Sequence, residues 1–230
     1  MLYYLAPMEG ITDNPFRARC VSQGADATFT EMARFEALAR NNKSTLKKIV
    51  IKNETPTYIQ IFGLKENALE SFLTKFEPEK GFLGFNLNLG CPSPKVINAG
   101  LGCAMIKRIA KVQKLIKCIK DKGYPVSIKM RLGLNQREKE KKAYLNLINQ
   151  VDADFFIVHA RHAGQTYNDP PDTSIYQECV DTGKVIIANG SISTAKQVTE
   201  LKNIGVKGVM IGRAAIPNPS IFNILKNNKI

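Results

Sequence analysis

Eight short apolar runs recur along this chain, and their spacing limits the fold more than any other feature. They are Tyr3–Ala6, Ala25–Thr30, Thr57–Phe62, Phe82–Leu89, Val126–Met130, Phe155–His159, Val185–Ala188 and Gly208–Ile211. Each is too short for a helix and rich in the residues that favour strands. Helix-compatible stretches separate them. In Ala110–Lys122, Val112, Leu115, Ile116 and Ile119 form an apolar stripe, and Gly123 comes next as a stop signal. Thr194–Ile204 is a second such stretch. Strand and helix in alternation argue a parallel α/β protein. Eight units in 230 residues match a (β/α)8 TIM barrel, with a doubly wound sheet as the competitor.

The residues at the end of each run favour the barrel. The runs lead into Pro7-Met8-Glu9-Gly10, Glu31, Gln60 with Gly63, Asn88 with Cys91, Lys129 with Arg131, His159 with Arg161, Asn189-Gly190, and Gly212-Arg213. A polar or conformationally special residue at every strand end suits a ring of loops around one shared ligand, where barrel active sites are built.

Charge points to a class of partner. Lys and Arg total 33 against 20 Asp and Glu, a formal net charge of +13. An excess of this size favours a polyanion, although a lysine-rich solvated surface produces the same number. Lys95 to Lys142 holds 14 basic and 3 acidic residues, and so most of the surplus. Lys107, Lys111 and Lys114 fall at helical spacing and predict one basic helix face. The five cysteines are odd in number and form no CxxC, and there are only two histidines, so no zinc spacing exists and no metal is expected. The start, MLYYLAPMEG, has no basic leader, and no apolar run reaches membrane-spanning length. A cytoplasmic, reduced, monomeric protein without membrane attachment is the expectation.

Three features carry chemistry. "VIIANGSIS" and "GVMIGRAAIPNP" place Gly190 and Gly212 where backbone N–H groups can approach an anion, with Arg213 beside them, so these loops predict a phosphate site. Lys129, in "VSIKMRLG", is either a Schiff-base nucleophile or a donor to an electron-rich ring. Gln60, in "YIQIFG", offers both a donor and an acceptor to such a ring, or is simply a satisfied buried amide. The third is "FNLNLGCPSPK", where a strand runs into Gly90-Cys91-Pro92 and lifts a thiol clear of the sheet.

The chain resembles the tRNA-dihydrouridine synthases, flavin-dependent enzymes that reduce uridines of tRNA. The matching stretches run in order: "LAPMEGITDNPFR", "QIFG", "NLNLGCPSPKVINAGLGCAMIK", "VSIKMRLG", "VHARHAGQTY", "ANGSI" and "MIGRAAIPNPSIF". The resemblance implies one catalytic (β/α)8 barrel over residues 1–230 with FMN at its mouth and NADPH or NADH as reductant. It implies that Pro7, Met8, Gln60, Lys129 and His159 surround the flavin ring. Asn189, Gly190, Gly212 and Arg213 would hold its phosphate. Asn88, Lys95, Arg131, Arg161 and Tyr167 would hold the tRNA and its flipped base. Cys91 would be the acid that protonates the uracil ring opposite the hydride. Cys20, Cys103, Cys118 and Cys179 are expected to be structural. The family carries a further helical domain after the barrel. The chain stops at Ile230, which implies that this domain is absent or truncated. Competing functions are an FMN barrel acting on a free pyrimidine or small enone, a non-catalytic RNA-binding barrel, and a Schiff-base aldolase using Lys129.

Overall fold

Alternation with a period of two organises this protein. A computed structural model describes residues 1–227. Its strands are β1 (Leu2–Leu5), β2 (Thr28–Phe29), β3 (Ala33–Arg34), β4 (Thr57–Phe62), β5 (Phe82–Leu89), β6 (Val126–Met130), β7 (Phe156–His159), β8 (Ile186–Asn189) and β9 (Gly208–Ile211). Every pairing is parallel, in the order β1-β9-β8-β7-β6-β5-β4-β2. The ring closes between β1 and the residues before β2. A parallel Tyr4–Ala27 bridge joins them, with Leu5 N donating to Ala27 O at 3.0 Å and Asp26 N to Tyr3 O at 2.8 Å. The result is an eight-stranded parallel barrel with helices between its strands.

Successive side chains along each strand face opposite ways. Leu5, Ile59, Ile61, Phe85, Leu87, Ile128, Val158 and Val209 point outward, into one large core beneath the helices. Tyr4, Ala6, Phe29, Ile157, Ile187 and Met210 point inward and pack the barrel floor. The outward set meets apolar helix stripes. In the helix Ile109–Lys120 these are Val112, Leu115, Ile116 and Ile119, as the sequence predicts. The helix Ala195–Ile204 opens on a capping box of Thr194 and Gln197 and ends at Gly205, whose φ of +103° is the left-handed conformation that glycine adopts freely.

Two details differ from expectation. The second run pairs over only Thr28–Phe29, and β3 then re-pairs with the end of β4. The ladder breaks because the Thr30 hydroxyl, not a backbone carbonyl, takes the Gln60 N–H, at 3.0 Å. Lys107 lies in the turn before the helix that carries Lys111 and Lys114. It pairs with Glu138 at 2.8 Å, and Lys111 pairs with Glu66 at 3.1 Å, so the three lysines do not form one open basic face.

Candidate active site

The inward residues change character along each strand. Above the apolar floor come Gln60, Asn86 and Ser127, and at the strand ends Asn88, Lys129, His159 and Asn189. This change opens the C-terminal end of the barrel into two adjoining cavities of about 270 and 450 Å³. Pro7, Met8, Lys129, His159, Tyr167 and Arg213 line both. The smaller cavity extends over Asn189, Gly190, Ser191 and Gly212, and the larger over Gln60, Asn88, Cys91 and Arg131. Of the cofactor- and substrate-binding residues that the resemblance implies, Lys95 and Arg161 line neither. Among the described residues, no group of His, Cys, Asp and Glu is arranged to hold a metal ion.

The cavity is electropositive. Lys129, Arg131 and Arg213 line it and Arg161 lies behind it, and among the described residues none of the four has a salt bridge. Glu9 is the single carboxylate on the lining, and it pairs outward with Lys48. Burial, reinforced by Arg131, lowers the Lys129 amine to about 7. Burial and the surrounding cations push His159 down to about 2, so its imidazole is neutral. Arg161 Nη1 lies 3.1 Å from His159 Nε2. A guanidinium only donates, so Nε2 accepts and the ring proton sits on Nδ1. Uncompensated cations cost free energy unless an anion arrives, so the arrangement suits a ligand carrying more than one negative charge.

Arg161 lies behind the cavity wall. It is 1% exposed. Its Nε donates to Asp169 O at 2.8 Å and its Nη2 to Ser191 Oγ at 2.9 Å and Tyr167 O at 3.4 Å. With every nitrogen engaged inside the protein, it shapes the loop that carries Tyr167. Tyr167 is 54% exposed and faces the cavity: its ring lies under the Arg213 guanidinium, 3.9 Å from the ring centroid, and parallel to His159 within 18°. Lys95 stands exposed on the short helix Pro94–Asn98, beside the mouth rather than in it.

Cys91 sits half-buried at the cavity wall. Its N–H and that of Gly90 donate to Asn88 Oδ1 at 2.9 and 3.1 Å. Its carbonyl accepts from Cys103 N at 3.2 Å. Gly102, at φ +56°, packs so closely here that an added Cβ would lie 3.0 Å from Cys91 Cβ. No side chain fits, so this glycine holds the Cys91 loop tight. Cys103 is buried, its Sγ donating to Gly133 O at 3.2 Å, and burial raises its thiol to about 12. Burial likewise raises Cys20 and Cys179 to about 12, and Cys91 alone among the cysteines lines the cavity.

Gln60 is buried and hydrogen-bonded on both sides of its amide. Its Nε2 donates to Asn86 Oδ1 at 2.8 Å and its Oε1 accepts from Asn88 Nδ2 at 2.9 Å. One hydrogen of Nε2 and one lone pair of Oε1 remain for a ligand. Three residues escaped sequence reasoning. Met32 lines the larger cavity, and Ser191, at φ +53°, accepts from both Arg161 and Arg213. Tyr176 is buried, and its hydroxyl bridges Val158 O at 3.0 Å and Asn189 O at 2.8 Å. Only Ser191 left a signal, by its place between Gly190 and the next helix. The other two depend on long-range packing.

The geometry agrees with comparisons to known proteins. Solved structures share the fold at low identity. N-(5'-phosphoribosyl)anthranilate isomerase from Pyrococcus furiosus matches with a TM-score of 0.54 at 15% identity, over 99% of both chains. Mandelate oxidase matches with 0.58 at 14%, over 97% of this chain and 70% of that one. A "Probable tRNA-dihydrouridine synthase" of Helicobacter pylori is 32% identical, covering 98% of this chain and 70% of the relative. A relative of the same printed name from Aquifex aeolicus is 30% identical over 98% and 72%. "tRNA-dihydrouridine synthase B" of Pseudomonas putida is 29% identical over 97% and 67%. The dihydrouridine synthase family model matches residues 4–230, nearly every residue that builds the barrel and its mouth. With the family's sequence pattern laid along the whole barrel and its strand-end residues gathered around one cavity, the chain belongs to the dihydrouridine synthase family.

Proposed function

We propose that this chain is a single catalytic barrel that reduces the 5,6 double bond of a tRNA uridine to dihydrouridine, with FMN in its mouth and NADPH or NADH as reductant. The observation that carries this reading is the pairing within one cavity of an uncompensated cationic cradle and a lone accessible thiol, Cys91. The residues present fit FMN. Gly190, Ser191, Gly212 and Arg213 offer a phosphate-sized end. Lys129 and the spare N–H of Gln60 offer donors to an electron-rich ring. Bound there, FMN supplies a hydride to one carbon of the uracil double bond.

The protein's own residues supply the rest. A uridine stacked in folded RNA must leave its stack to enter the larger cavity, at a cost of a few kcal/mol. Arg131 and Tyr167 border that cavity and would hold the base. Arg131 is itself fixed by donating to His162 O at 2.9 Å. Asn88, with its oxygen committed to the Cys91 loop, can meet the base only through its amide N–H. Cys91 Sγ–H then gives its proton to the carbon beside the one that received hydride. The thiolate left behind recovers a proton from solvent. Phosphate contacts along the rim would offset the cost of flipping.

The decisive test is Cys91→Ala beside Cys103→Ala, with the two half-reactions measured separately by stopped-flow. Cys91→Ala should keep bound flavin and its reduction by NADPH. It should lose dihydrouridine formation by about 10²–10⁴-fold, the usual range for a missing general acid. Cys103→Ala should be nearly silent. A Cys91→Ala protein that reduces tRNA at the wild-type rate overturns the assignment.

A further inference from the structure

The hydrogen-bonding groups at the mouth rest on two residues that line neither cavity, Asn86 and Ser127. Gln60 on β4, Asn86 on β5 and Ser127 on β6 are neighbours in register. All three are buried, Asn86 and Ser127 at 0% exposure. Asn86 Nδ2 donates to Ser127 Oγ at 2.8 Å, and Gln60 Nε2 donates to Asn86 Oδ1 at 2.8 Å. Asn88 Nδ2 donates to Gln60 Oε1 at 2.9 Å. Asn88 Oδ1 accepts the N–H groups of Gly90 and Cys91. Ser127 Oγ lies 3.4 Å from Phe85 O, which takes its proton.

The polarity of this relay is forced. Backbone N–H groups only donate, so Asn88 must turn its oxygen to the Cys91 loop and its nitrogen to Gln60. Gln60 must then turn its nitrogen to Asn86, and Asn86 its nitrogen to Ser127. A reversed Asn88 would aim its NH2 at two N–H groups and release the loop. A buried amide left facing the wrong way costs as much as a lost hydrogen bond, so the relay has one stable direction.

We propose that Asn86 is a positioning residue: its oxygen holds Gln60 Nε2, which keeps Gln60 Oε1 facing Asn88 and so steadies the amide whose own oxygen fixes the backbone that aims Cys91. Its catalytic consequence rests on the reading of Cys91 as the acid, but the geometry does not.

Asn86→Leu removes both amide ends at similar size and leaves the Gln60 amide held only from the Asn88 side. Asn86→Asp keeps an acceptor for Gln60 Nε2, and the Ser127 hydroxyl can rotate from Phe85 O to donate to the new carboxylate, so the direction survives. The readout is the rate at which iodoacetamide alkylates Cys91 in the purified protein, followed by peptide mass spectrometry with Cys103 as internal reference. Asn86→Leu should raise the Cys91 rate about tenfold, as expected if the loop's anchor is weakened by the worth of one buried hydrogen bond, and leave Cys103 unreacted. Asn86→Asp should restore the wild-type rate. An unchanged Cys91 rate in Asn86→Leu, a failure of Asn86→Asp to restore it, or a parallel rise at Cys103 that marks general loosening each overturns the proposal. If Asn86→Leu does not fold, Ser127→Ala carries the test: a faster Cys91 with silent Cys103 supports the relay, and an unchanged Cys91 refutes it. Dihydrouridine formation separates the two readings. A Cys91 freed in Asn86→Leu while tRNA is still reduced at the wild-type rate leaves the positioning intact and removes the acid role.

Discussion

Replacing Arg161 by Ala tests whether this residue builds the site or touches the substrate. The substitution removes donors to Asp169 O, Ser191 Oγ, Tyr167 O and His159 Nε2. Hydrogen bonds from a charged donor are worth roughly 1.5–3 kcal/mol each, which sets a ceiling near 12 kcal/mol for four. Two effects lower it. The buried guanidinium is disfavoured by desolvation and by Arg131 and Arg213, a strain that leaves with the side chain. The adjoining cavity also admits water to the freed acceptors. The net loss should be about 3 kcal/mol, in the range seen when one partner of a buried polar network is removed. Urea unfolding should show a lower midpoint with an unchanged slope. The loop through Tyr167 should become protease-sensitive, and binding of the proposed FMN phosphate should weaken with it, because Ser191 loses one of its two guanidinium partners. Arg161→Lys should not rescue, since an ammonium cannot span acceptors that lie in different directions. A stability loss under about 1 kcal/mol, with tRNA binding alone abolished, would refute this argument and return Arg161 to the base.

Charge sets two further outcomes. Lys129, held near 7, gains its proton as pH falls through that value, and an anion in the cavity favours the protonated form; sulfate, whose own charge is constant there, should therefore bind more weakly as pH rises through 7, and Lys129→Met should flatten that dependence. In the protein without ligand the sign for stability is opposite: the unfolded lysine keeps its proton up to about 10.5, so this group makes folding more favourable as pH rises from about 7 towards that value, a trend that Lys129→Met should remove in urea melts. For RNA, Lys117 and Lys120 are paired with Asp121, Asp152 and Asp154 at the floor side of the barrel, whereas Lys95, Arg137 and Lys141 stand exposed and without ion pairs among the described residues, next to strand ends. Reversing the latter three to Glu should weaken tRNA binding and reduce its salt slope by about one per lost contact, while reversing Lys117 and Lys120 leaves both unchanged; equal effects from the two sets would show that RNA does not track this rim.

Local pattern was enough to specify the barrel and the identity of most of its mouth. Thr57–Phe62, Phe82–Leu89, Val126–Met130 and Gly208–Ile211 are strands with those bounds, because short β-branched runs between amphipathic helices have few other ways to bury both faces. A strand's period of two then sends Asn88, Lys129, His159 and Asn189 to one interior, so the strand-end residues are legible in the chain without its fold. The partner each polar group takes is not. Arg161 and Arg131 are the same residue type at similar strand ends, yet one is consumed behind the wall and the other lines it. Lys107, Lys111 and Lys114 share helical spacing, yet two are neutralised by glutamates distant in the chain. Gln60 offers both a donor and an acceptor in sequence, but its neighbours on β5 take one hydrogen of its nitrogen and one lone pair of its oxygen. Hydrophobic periodicity is local and repeats, so it survives in a one-dimensional string. Hydrogen bonds and ion pairs are short-ranged in space but long-ranged along the chain, and only closure of the barrel brings their two ends together.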